Sequence, residues 1–211
     1  IFLISAASFV IGFLFTIKLP NPVQEKELTP GTTKTVILKN KFLFLSLLLR
    51  HIGAAAVWTI LPIMIVEKLG GELYHISIVY VANTMTAFIL MNVMASKIHL
   101  SNVTKFKIGI GFTTFVFIGL SIVTEWWMAM PFMALVGATW AFLFIGGNFH
   151  LMENNPKSTS TGIFSSTLSI ATVIGPIIAG SIAFLFDYVA VMYFAIAIII
   201  VAFVVSLKIK K

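Results

Sequence analysis

The chain has 211 residues, of which 59% are hydrophobic and 10% charged, whereas soluble domains carry about 25% charged residues. That apolar surplus cannot be hidden inside a water-soluble core of this size, so lipid must solvate it. The net charge of +7 does not point to a nucleic-acid partner, because the charges sit in short segments between apolar runs, and the lack of cysteine excludes disulfides and thiolate metal sites.

A helix that crosses a bilayer needs about 20 apolar residues. The first apolar run, Ile1–Ile17, has neither the basic start nor the small-residue cleavage site of a signal peptide. It is expected to be the end of a transmembrane helix whose beginning lies in a preceding part of the protein. Lys18–Lys41 follows as a long connection. Its first part, with Pro20, Pro22, Glu25, Lys26, Glu27 and Pro30, reads as a solvated linker, and its second part, Thr32 to Lys41, as a short helix on the membrane surface. Six further spans are expected at Phe42–Val66, Leu73–Ser96, Lys107–Thr124, Trp126–Met152, Thr161–Phe186 and Tyr188–Leu207. Buried strands fail as an alternative, because strands rarely exceed ten residues.

Basic residues in the connections set the orientation. Lys18, Lys26, Lys34, Lys39, Lys41, Lys97, Lys105, Lys107, Lys157, Lys208, Lys210 and Lys211 fall in one set of connections, and Lys68 alone falls in the other, beside Glu67, Glu72, Glu125 and Asp187. The lysine-rich set, including the C-terminus, is therefore expected to be cytoplasmic, in a multi-pass protein of the cell membrane. All the acids lie in connections or at span ends.

Polar groups inside spans are expensive in lipid and usually face protein or a water-filled cavity. Phe42–Val66 carries Arg50, His51, Trp58 and Pro62; His51 and Trp58, seven apart, share a face to within about 20°. Leu73–Ser96 aligns Tyr80, Asn83, Thr84 and Ala87; Trp126–Met152 aligns Gly137, Trp140, Phe144 and Asn148; Thr161–Phe186 aligns Gly162, Ser165, Ser169, Thr172 and Pro176. Each stripe has a plainer explanation. Small residues at this spacing commonly mean close helix packing, aromatic residues pack more often than they bind, and Asn83 and Asn148 can bond to a neighbouring helix. Trp126 and Trp127, at a span end, read as interfacial anchors. Arg50 has three readings: snorkelling to the interface, a pairing with an acid or helix C-terminus in the missing half that holds the cytoplasmic gate, or contact with an anionic substrate. Ile1–Ile17, Lys107–Thr124 and Tyr188–Leu207 are charge-free or nearly so, which suits a lipid-facing periphery.

Asn155-Pro156-Lys157, then Gly162, Ser169, Gly175-Pro176, Gly180 and Asp187 before a wholly apolar last helix, resemble the eleventh and twelfth helices of the major facilitator superfamily. Leu49-Arg50-His51 to Pro62 and then Leu69-Gly70-Gly71 resemble its seventh helix. The resemblance implies an all-α integral membrane protein with residues 1–17 ending the sixth helix. Residues 18–41 would be the cytoplasmic linker between halves, and residues 42–211 a C-terminal six-helix half-bundle. It implies a partner, the missing N-terminal six-helix half, and alternating access to a midplane site. Cavity-lining positions of the seventh and tenth helices are occupied here by His51, Trp58, Trp140 and Asn148. Two features depart from the pattern. The loop from Asn92 to Lys107 lacks the family's glycine–aspartate pair, so its gating contacts do not carry over. Gly175-Pro176 resembles an antiport motif that belongs to the fifth helix; in the eleventh it implies only close packing with a bend.

The expected function is secondary transport of a small solute without a cofactor, with Arg50, His51, Trp58, Asn83, Trp140 and Asn148 as the substrate-binding or gating residues. A non-transporting sensor or assembly subunit is the alternative. A membrane-embedded enzyme using His51 or His150 is disfavoured, because no His-Glu-x-x-His, Gly-x-Ser-x-Gly or paired intramembrane carboxylates occur.

Overall fold

Long apolar segments with no water to satisfy their amides must close their hydrogen bonds internally, and every regular element among the described residues is helical. The computed structural model describes residues 32–96 and 98–209, together with Val10, Phe13 and Leu14. The predicted span Ile1–Ile17 and the linker as far as Gly31 therefore lie outside the described residues, those three excepted. The chain divides into two compact units, residues 1–30 and 31–211. The second contains a short helix α1 (Thr32–Lys39), then α2 (Lys41–Glu67), α3 (Leu73–Ser96), α4 (Asn102–Ser121), a 3-10 turn (Trp126–Met128), α5 (Ala129–Asn154), α6 (Lys157–Leu185) and α7 (Tyr188–Ser206). Among the described residues, helices α2 to α7 are the six that are long and apolar enough to cross a membrane.

Side-chain caps set the starts of two of the spans. The expected start of α4 at Lys107 is corrected to Asn102, because the Ser101 hydroxyl accepts the Thr104 N–H at 3.2 Å and nucleates the helix ahead of its apolar run. The turn at Trp126–Met128 separates the two tryptophans from α5, whose Pro131 sits in the first turn, where a missing N–H is tolerated. Asp187 caps α7 by accepting the Ala190 N–H at 2.8 Å.

The helices pair in a pattern that maps onto itself. α2 packs on α6 and α7, α5 packs on α3 and α4, and α4 meets α7; exchanging α2, α3 and α4 for α5, α6 and α7 leaves these five pairs unchanged, while α6 also touches α7 without a counterpart of like extent between α3 and α4. Two close approaches depend on glycine. A Cβ on Gly175 of α6 would meet Ala55 Cβ at 2.6 Å and Ile52 O at 2.8 Å on α2, and one on Gly137 of α5 would collide with the Asn83 carbonyl of α3. Close packing at Gly175 is thus present, as expected.

The charge-free spans α4 and α7 each bury one side and expose the other, α7 leaving Tyr193, Ile200, Val201 and Val204 open. α4 buries Phe106, Ile110, Thr113, Phe117 and Leu120, and exposes only its other side, Phe112, Phe115 and Ile118. α7 likewise buries Val191, Ala195, Ile199 and Ala202. Lipid and a helical core are equally apolar, so absence of charge does not distinguish them. The spans left most open are α3 and α6, both of which carry polar stripes. On α6, Gly162, Ser165, Ser169 and Thr172 are exposed, and nothing lies within 4 Å of a Cβ placed on Gly162. No described residue of this chain packs closely against that glycine.

Candidate functional site

Arg50 sits nine residues into α2, about 13.5 Å along its axis. Snorkelling is not what it does: the residue is 1% exposed, and its guanidinium crosses to α4, where Nη2 donates to Thr113 Oγ1 at 3.2 Å. It also lies over the Trp140 ring of α5, 5.6 Å from the centroid. Thr113 turns its own hydroxyl to the Gly109 carbonyl at 2.7 Å. Among the described residues no carboxylate comes within ion-pair distance of Arg50, and its Nε has no hydrogen-bond partner. Within the described residues, a buried charge held only by a hydroxyl and an aromatic face remains uncompensated.

The next residue, His51, stacks obliquely on Trp140 with centroids 5.6 Å apart, and its buried Nδ1 also lacks a partner. Two turns further on, Trp58 meets Tyr80 at 6.1 Å and the edge of Phe117 at 6.5 Å. Pro62 explains why Tyr80 is there. A proline has no N–H for the carbonyl four residues before it, so Trp58 O loses its helical donor; the Tyr80 hydroxyl donates to it at 3.1 Å. That bond ties α3 to α2, which otherwise touch sparingly.

Arg50, His51, Trp58, Tyr80, Asn83 and Trp140 together line a cavity of about 350 Å³ between α2, α3 and α5. Five of the six residues expected from sequence are thus brought together. The sixth, Asn148, is not: it is buried two turns beyond Trp140 and spends its Nδ2 on the Phe144 carbonyl of its own helix at 3.1 Å. Tyr80 and Thr113 were not among the expected site residues. Tyr80 was detectable on the stripe with Asn83, whereas nothing in the sequence of α4 marks Thr113 as the residue that Arg50 reaches.

The two ends of the bundle are held by polar contacts away from the cavity. At one end Glu67 accepts from the Tyr188 hydroxyl at 2.7 Å, and Lys68 pairs with Asp187 at 3.5 Å. The Ala190 N–H holds the Asp187 carboxyl below its ordinary value of 3.8, with burial opposing slightly and Lys68 adding to the lowering. At this end Trp126 is more than a surface anchor: its ring stacks on His75 at 3.9 Å and its backbone N–H donates to the Leu69 carbonyl. At the lysine-rich end Asn102 donates to Glu153 at 2.6 Å, and Lys107 Nζ reaches the Ile209 carbonyl at 3.0 Å.

These features define a helical protein of the multi-pass membrane type with a polar, aromatic cavity at the depth of its spans. No protein family and no curated protein matches this chain.

Proposed function

We propose that residues 42–211 form one half of a secondary transporter of the major facilitator type, and that the cavity between α2, α3 and α5 is this half's contribution to the solute pathway. The observation that carries the reading is the uncompensated Arg50, buried at span depth beside His51 and Trp140 in a cavity open to a small molecule. Such groups persist in membranes chiefly where they serve a solute or ion pathway. The self-mapping helix pairs support it, since transporter halves are commonly built from two inverted three-helix repeats. The open polar stripes of α3 and α6 supply a face for a second bundle, with the lysine-rich ends in the cytoplasm.

The test is uptake by the full-length protein in proteoliposomes, screened across solute classes by counterflow. Saturable exchange that is lost in Trp140→Ala and Asn83→Leu, while both variants stay monodisperse, is the expected result. Exchange indifferent to both substitutions contradicts the assignment of the cavity. Solute binding without exchange points to a sensor.

A further inference from the structure

The cavity also carries information about what it binds. Among the described residues its only full charge is positive: Arg50 is the one charged residue in the lining, and the rest of the wall is His51, Asn83 and the rings of Trp58, Tyr80 and Trp140. Thr113 occupies one guanidinium nitrogen, and Nε is left without a partner. Guanidinium presents a planar fork that matches a carboxylate or phosphate edge. In a water-poor site that match discriminates strongly, because a neutral analogue leaves the charge unpaired. The volume of about 350 Å³ stands near the lower end of the ~300–1,000 Å³ of small-molecule sites, which suits a single small solute. Three aromatic side chains line the same cavity and favour an apolar or planar body on that solute. Among the described residues a cationic solute would meet Arg50 with no acid to offset the repulsion, since Glu67, Glu72, Glu125, Glu153 and Asp187 all sit at helix ends or in connections.

We propose that the cavity takes a small organic anion, its negative group held at Arg50 and its apolar body against the Trp58, Tyr80 and Trp140 rings. The proposal rests on the reading of the cavity as a solute site and adds the chemical class of the solute.

Benzoate, benzamide and benzylamine share one ring and differ in charge, so they separate charge recognition from ring packing. Titrated into the purified full-length protein and followed by the rise in unfolding temperature and by calorimetry, benzoate should bind at least tenfold more tightly than benzamide. Benzylamine should bind weakest. Arg50→Gln should bring benzoate down to the level of benzamide, Arg50→Lys should keep part of the difference, and Trp140→Phe should weaken both ligands alike. The wild-type comparison needs no variant to fold, so it stands alone. Equal binding of benzoate and benzamide, or no binding of benzoate, overturns the proposal; so does an unchanged preference in a folded Arg50→Gln protein. An anionic lipid headgroup offers the same charge, and nanodiscs of phosphatidylcholine with and without phosphatidylglycerol distinguish it. If phosphatidylglycerol abolishes benzoate binding through Arg50, the site belongs to a lipid and the solute proposal falls. Arg50-dependent benzoate binding without any exchange in proteoliposomes leaves the anion site standing and removes the transporter reading. Exchange of neutral or cationic solutes alone does the reverse.

Discussion

Helices α2 and α6 are close in length, 27 and 29 residues, and each contains an interior proline, Pro62 or Pro176. Both carry polar residues that lipid would reject. Yet 61% of the central stretch of α2 is buried within the chain and only 17% of that of α6. The polar groups of α2 are gathered inward, with Arg50 on Thr113 and Trp140, and Trp58 O on Tyr80. Those of α6 mostly serve their own helix, as Thr172 bonds back to Leu168 O at 2.9 Å and Ser181 to Ile177 O at 2.9 Å. One helix is finished by its neighbours in this chain; the other displays a small, polar face to whatever lies beyond it.

Glycine substitutions break that contrast most directly. Gly175→Leu drives a side chain into the α2 backbone at Ile52 and Ala56, and overpacking of this kind costs ~1–3 kcal/mol or more. Loss of the monodisperse protein is expected. A Cβ at Gly162 or Gly180 meets no neighbour within this half, so Gly162→Leu and Gly180→Leu should cost the half-bundle itself less than Gly175→Leu. Equal damage at Gly180 and Gly175 would show that the open face of α6 is not open.

Arg50→Met sharpens the other side of the comparison. Replacing an uncompensated buried charge with an apolar side chain of similar length is often stabilising by about 1 kcal/mol or more, and Thr113 keeps its own bond to Gly109. The variant should therefore unfold at the same or a higher temperature while losing benzoate binding. A large drop in stability would mean that Arg50 is a structural strut.

A smaller effect is expected at the proline. Tyr80→Phe leaves the Trp58 carbonyl without a donor, at a cost of ~1 kcal/mol. Pro62→Ala restores the helical N–H, so Tyr80→Phe should cost less in a Pro62→Ala background than alone. A double-mutant cycle with no coupling energy would detach Tyr80 from Pro62.

Smallest of all is the effect of Asp187. Its carboxyl titrates below 3.8 in the folded chain, so its contribution is complete above that value and fades as pH falls through the lower folded value. Asp187→Ala should cost about 1 kcal/mol, chiefly through the lost cap, because the exposed pair with Lys68 contributes little. As the pH falls below 3.8, the difference between the two proteins should shrink. A difference that grows on acidification would contradict the role given to this carboxylate.

Much of this was legible in the sequence. Unbroken apolar runs of bilayer length located all six described spans, and polar residues at helical spacing located five of the six cavity residues. Asn148 was misplaced because spacing reports a shared helix face, whereas an asparagine that bonds to its own helix at Phe144 needs no site. The partners of Arg50 were not legible, since Thr113 lies 63 residues away in a span with no ionisable neighbour at that depth. A cap displaced the start of α4, and which side of α4 and α7 turns inward was hidden because lipid and a helical core select the same side chains.

The central claim, that the cavity between α2, α3 and α5 lies on a solute pathway, has one direct test. The chain contains no cysteine, so a single introduced thiol in this half is unambiguous here. In membrane vesicles of each orientation, Asn83→Cys in the full-length protein should react with a membrane-impermeant maleimide from both sides. Lys157→Cys should react only from the cytoplasmic side and Glu72→Cys only from the other. An Asn83→Cys thiol that reacts from neither side, or from one side only under every condition, while the two controls behave as expected, would contradict the account.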